Sequence, residues 1–134
     1  MTKEQIALGR RAVACKGWRW SPGMRAVDLK TLSEARVMDV ITDLIVRYPE
    51  GDRYLGGSVP DLSDPATLGC LIALVREAWG CVVVTFPDYD EDEETGGQGH
   101  NVVGWRAVET VRWMRVGGGT TEAEALVAAL EAAP

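Results

Sequence analysis

A chain of 134 residues with 46% apolar and 25% charged side chains has the balance of one globular domain, large enough for a hydrophobic core. Its formal net charge of -6 disfavours broad binding to nucleic acid, where phosphate contacts dominate affinity. No apolar run reaches membrane-spanning length, "MTKEQIALGRR" lacks the apolar core of a secretory signal, and Cys15, Cys70 and Cys81 without C-x-x-C spacing suit a reducing compartment better than a disulfide frame or zinc site.

The chain opens with a helix expected over 2–16. Thr2 can cap it with Gln5 as reciprocal partner, and Gly17 is a natural stop. "GWRWSPGM" cannot be helical. As a short strand it would put Trp18 and Trp20 on one face and Arg19 on the other, before an "SPG" turn. Residues 36–48, "RVMDVITDLIVRY", carry an apolar stripe at helical spacing, but their β-branched content favours two short strands ending at "PEGD". "PDLSDPATLGCLIALVREAWG" is a core helix over 65–79: Asp64 caps it, Pro65 takes its first position and Gly80 ends it. "CVVVTF" reads as a buried strand, and "PDYDEDEETGGQGHN" as an exposed acidic loop. "NVVGWRAVET" and "VRWMRV" form a hairpin or consecutive strands. Gly117, Gly118 and Gly119 then make a flexible turn, and Thr121 with Glu124 caps a last helix over 121–132. This order predicts a single α+β domain over 1–134, with a mostly antiparallel sheet packed against about three helices.

The charge is unevenly placed. Residues 1–25 hold six cations against Glu4, a local +5 that leaves -11 for the rest. Trp18, Trp20, Trp105 and Trp113 each adjoin an arginine, and Gly-Trp-Arg occurs at both 17–19 and 104–106. Tryptophan stacks on flat rings and arginine pairs with phosphate through two parallel donors, the groups a nucleotide pocket requires. Trp18, Arg19, Trp20 and Arg25, with Trp105 and Arg106, are therefore the candidate ligand site. Core tryptophans with solvated arginines are the plainer reading of the same residues. Asp88, Asp90 and Asp92 match the start of an EF-hand loop, but Glu93 stands where glycine is needed and Gly99 where a bidentate glutamate is needed. Asp88, Asp90, Glu91, Asp92, Glu93 and Glu94 thus read as a solvated segment, or as an acidic surface for a basic protein partner. His100, the one histidine, adjoins no nucleophile motif, and "VGGGTTEAE" lacks phosphate-loop spacing. No catalytic set, metal site or cofactor is expected.

"GWRWSPGM", the 65–79 helix with its cap, and "EAEALVAALEAAP" together resemble a group of small phage-encoded proteins distantly related to the phage ABA-sandwich domain. The resemblance implies a phage accessory protein in the bacterial host cytoplasm. Such proteins commonly neutralise host defences. The expectation is a non-catalytic homo-oligomer that sequesters a small nucleotide signal, linear or cyclic, without contacting nucleic acid or membrane. The alternative is an inhibitor that binds a host defence protein directly through its acidic surface, as anti-CRISPR proteins do.

Overall fold

The computed structural model describes residues 1–40, 43–48, 51–89, 98–108 and 110–134. Among the described residues three helices form where sequence signals cap them. Helix α1 (Lys3–Ala14) begins on a reciprocal box: the Gln5 N–H donates to Thr2 Oγ1 at 3.2 Å, and the Thr2 N–H to Gln5 Oε1 at 2.7 Å. Helix α2 (Pro65–Trp79) begins on Asp64, whose Oδ2 accepts the Thr67 N–H and hydroxyl, both at 2.9 Å. It ends in a Schellman turn. The Cys81 N–H reaches the Arg76 carbonyl at 3.3 Å, the Gly80 N–H reaches Glu77 at 3.2 Å, and Gly80 takes φ +61°. Helix α3 (Glu122–Glu131) is capped by Thr121 Oγ1, which accepts the Glu124 N–H at 3.2 Å. The Glu124 carboxylate reaches one residue further back than a capping box predicts, accepting from the Thr120 N–H at 2.9 Å and from its hydroxyl.

Among the described residues eight strands complete an α+β fold, and each of their pairings is antiparallel. β1 (Arg25–Asp28), β2 (Glu34–Val40), β3 (Asp43–Tyr48), β4 (Gly51–Tyr54) and β5 (Ser58–Pro60) form a sheet of order β4-β3-β2-β1-β5. β6 (Val82–Tyr89), β7 (Gln98–Val108) and β8 (Thr110–Gly119) form a second sheet in sequence order. The ambiguous 36–48 stretch is thus two strands, with Val37 opposite Val46 and both buried. β-Branched side chains suit that half-buried pleat better than a helix. The expected "PEGD" turn falls partly on Pro49 and Glu50, which lie outside the described residues.

The chain divides into two compact units. The first comprises Met1–Ala14 and Trp18–Cys70, the second Cys15–Gly17 and Leu71–Pro134, so α2 contributes to both. The first unit buries Met24, Ala26, Val27, Val37, Val46 and Val59 around its sheet, and Tyr48 Oη meets Ser58 Oγ at 2.9 Å in that interior. In the second, α3 packs against the β6–β7–β8 sheet and buries Ala125, Leu126, Val127, Ala129 and Leu130. Leu71, Leu74, Val75 and Val83 are also fully or almost fully buried.

Three local expectations change. Residues 18–20 are not a strand: regular structure resumes only at Arg25, and β1 already has β2 and β5 as neighbours. The expected turn is there: the Met24 N–H bonds the Ser21 carbonyl at 3.2 Å, with Pro22 then Gly23 at its centre and Gly23 at φ +92°, the signature of a type II turn. Gly117–Gly119 are not a turn but the end of β8, opposite Val102, Asn101 and His100. Gly117 and Gly119 are glycine because α3 lies directly on them, whereas a Cβ on Gly118 would meet the Arg115 side chain. A Cβ on Gly117 would sit 2.4 Å from the Ala125 carbonyl oxygen and 2.6 Å from the Ala129 nitrogen. One on Gly119 would sit 2.5 Å from Glu124 Cβ. "CVVVTF" is only half buried: Val83 is inside, whereas Val82, Val84 and Phe86 are 51%, 37% and 45% exposed. β6 is an edge strand, and α3 covers only one face of its sheet.

Candidate functional site

The first candidate residues lie between α1 and β1. Trp18 and Trp20 meet edge to face, with ring centroids 5.6 Å apart and planes at 84°, a geometry that contributes about 0.5–1.5 kcal/mol beyond burial. Both are half-buried, and Arg19 between them is exposed. The Trp18 Nε1–H is shielded from solvent and has no acceptor among the described residues. A buried donor without a partner costs about 1–3 kcal/mol.

Arg25 is placed differently. Its guanidinium approaches Glu34 Oε2 and Asp61 Oδ2, both at 3.5 Å, and Asp64 Oδ1 at 3.4 Å. Its backbone N–H donates to Thr67 Oγ1 at 2.7 Å. Arg36 joins the cluster with a bidentate grip on Asp64, Nη1 to Oδ2 at 2.5 Å and Nη2 to Oδ1 at 2.7 Å, and a further bond to the Gly23 carbonyl at 2.8 Å. Asp61 in turn accepts from the Ser63 N–H at 3.0 Å and its hydroxyl at 2.5 Å. The Arg36 hydrogen bonds foremost, then those from Thr67, hold the Asp64 carboxyl far below the usual carboxylate range, and the same pairing raises the Arg36 guanidinium. Two arginines here face three carboxylates, so the cluster is net acidic and its donors are spent on the fold. It fastens β1 and β2 to the cap of α2; it is not a phosphate cradle.

The second Gly-Trp-Arg lies in β7, where the register sets Trp105 between Val82 and Trp113 and Arg106 opposite Arg112. Trp105 and Arg106 belong to the second unit, and Trp18 through Arg25 to the first. Among the acidic candidates, Asp88 lies in β6 opposite Gly99, while Asp90, Glu91, Asp92, Glu93 and Glu94 fall outside the described residues. His100 lies in β7 between Pro87 and Gly119. No group of three or more His, Cys, Asp or Glu side chains among the described residues is arranged to hold a metal ion, and no helix there is long and apolar enough to cross a membrane.

Sequence reasoning recognised Asp64 as a cap but missed its second role, because Arg25 and Arg36 reach it from 39 and 28 positions away. The only local signal is the spacing of Asp61 and Asp64 before Pro65. No protein-family model, no curated protein and no solved structure matches the chain.

Proposed function

We propose that the protein is a non-catalytic binding protein that sequesters a small nucleotide at the Trp18–Arg19–Trp20 segment. The observation that carries the reading is the Trp18 indole N–H, a shielded donor without an acceptor among the described residues, beside an exposed arginine. A phosphate or base oxygen would accept from that N–H, Arg19 would pair with phosphate, and the exposed part of a tryptophan ring would stack on the base. Arg25 has no part in this reading, because its guanidinium faces Glu34, Asp61 and Asp64. The resemblance to phage accessory proteins supplies the setting: a host cytoplasm in which holding a nucleotide defence signal, without cleaving it, blunts the response.

Native mass spectrometry of the purified chain with a panel of cyclic and linear nucleotides tests this. Binding of at least one nucleotide is expected, weakened about tenfold to a hundredfold by Arg19→Ala, the loss of one charge-assisted bond. Replacing all six acids of 88–94 with Ser and Gly should leave binding per chain unchanged. No retained nucleotide at millimolar concentration, or binding indifferent to Arg19→Ala, refutes the site.

A further inference from the structure

Among the described residues β6 is an edge strand, with β7 on one side only. In an antiparallel ladder the backbone groups of successive residues point alternately toward and away from the neighbour. Two observations set the phase of β6. The Val83 carbonyl is held by a side chain, Arg76, from Nε at 3.1 Å and Nη2 at 3.0 Å. Pro87 has no N–H, and a ladder tolerates it where that side faces away from the neighbour. The register with β7 runs unbroken from Val82 to Tyr89, so Val83, Thr85 and Pro87 share the outward phase.

The outward edge suits a copy of itself. Residues 81–87, "CVVVTFP", carry no charge, and 82–86 are all β-branched or aromatic, the composition of a strand that pairs readily with another. Val82, Val84 and Phe86 stand at alternate positions and are all exposed, so they share one face. Antiparallel pairing about a two-fold axis at Val84 sets Val84 opposite Val84 and Val82 opposite Phe86 of the second copy, an unbroken apolar row. In the same register Val83 faces Thr85 of the second copy, and each such pair exchanges both its backbone bonds. The ladder then stops, because the Cys81 N–H is already bonded to the Arg76 carbonyl at 3.3 Å and Pro87 opposite it has none. An axis at Thr85 would instead set Pro87 opposite Val83 and Asp88 opposite Val82, losing a bond and breaking the row.

Arg76 stands in the way of this pairing. The Val83 carbonyl must accept the Thr85 N–H of the second copy, and the guanidinium already occupies it. A charge-assisted bond is stronger than the neutral backbone bond that would replace it, and charged side chains are a common guard on sheet edges. We infer that the β6 edge is a self-pairing strand held shut by Arg76: with the guanidinium withdrawn, β6 takes β6 of a second copy, antiparallel, Val84 opposite Val84. The gate stands apart from nucleotide binding, whose residues belong to the first unit.

Sedimentation equilibrium of the full chain across a concentration series tests it. Arg76→Ala should self-associate about tenfold to a hundredfold more tightly than the wild type, the fold-change of removing one competing charge-assisted bond. Equal association in the two chains overturns the proposal. Adding Val84→Lys to the Arg76→Ala chain sets like charges opposite each other on the axis and should return it to wild-type behaviour. Association that persists, whether from another surface or from misfolding, overturns the pairing. Val84→Lys alone, at an exposed position, should leave the wild-type mass unchanged, and a fall in mass would show the edge already paired with Arg76 in place, which overturns the gate. Amide exchange reads the same edge directly: the Thr85 N–H should become protected as the concentration of Arg76→Ala rises, but not in the wild type. Thr85 exchange that ignores concentration in the Arg76→Ala chain overturns strand pairing.

Discussion

The two units hold themselves together by different means. The first relies on a polar knot: Asp64, almost fully buried, receives Arg36, Arg25 and Thr67 and so ties two strands to the start of a helix. The second relies on close approach: α3, rich in alanine, rests on the glycines of β8 with no room for a methyl group between them. A charge knot depends on pH and on its partners being present, because removing an arginine leaves the buried Asp64 carboxylate short of partners. A glycine–alanine contact is indifferent to pH but intolerant of added volume.

Substitutions that act on one mechanism and spare the other test this contrast. The largest effect is expected from Leu71→Ala, at a fully buried position of α2, which should cost about 2–5 kcal/mol in urea unfolding. A loss well under 1 kcal/mol would show that the helix contributes little to the core. Asp64→Ala removes a cap and charge-assisted bonds together and should cost about 2–4 kcal/mol at neutral pH.

The Asp64 contribution also has a predictable pH dependence. Its carboxyl is depressed in the folded state, chiefly by the Arg36 hydrogen bonds, so the unfolded chain binds the proton first as pH falls. The stabilisation is complete above the ordinary carboxylate range near pH 4 and is lost progressively below it. The difference in stability between wild type and Asp64→Ala should therefore shrink steadily in denaturation curves below about pH 4. A difference that stays constant down to the most acidic readable pH would contradict the role given to the knot.

Gly117→Ala should cost about 1–3 kcal/mol or more, because its methyl would meet the backbone of α3. Gly118→Ala, on the opposite face, should stay within about 0.5 kcal/mol, since its neighbour is only the movable end of Arg115. Equal costs at the two positions would mean that general strand propensity, not the approach of α3, explains the glycines.

Much of this fold is written locally. Thr2 with Gln5, Asp64 before Pro65, Gly80, and Thr121 before Glu124 each act within a few residues, so the three helix starts and the stop of α2 were legible without tertiary information, whereas α1 ends at Ala14, short of the expected Gly17 stop. The β-branched content of 36–48 was enough to choose strands over a helix, because a periodic stripe alone fits either. Other features were decided by what arrived from far along the chain. Three glycines signal a turn unless a helix descends on them, and only the position of α3 makes them a strand. A run of valines signals a buried strand unless it forms the edge of a sheet covered on one side. Arg25 looks available for phosphate until Glu34, Asp61 and Asp64 gather around it, because charge pairing depends on distance in space, which the spacing of residues along a chain does not specify.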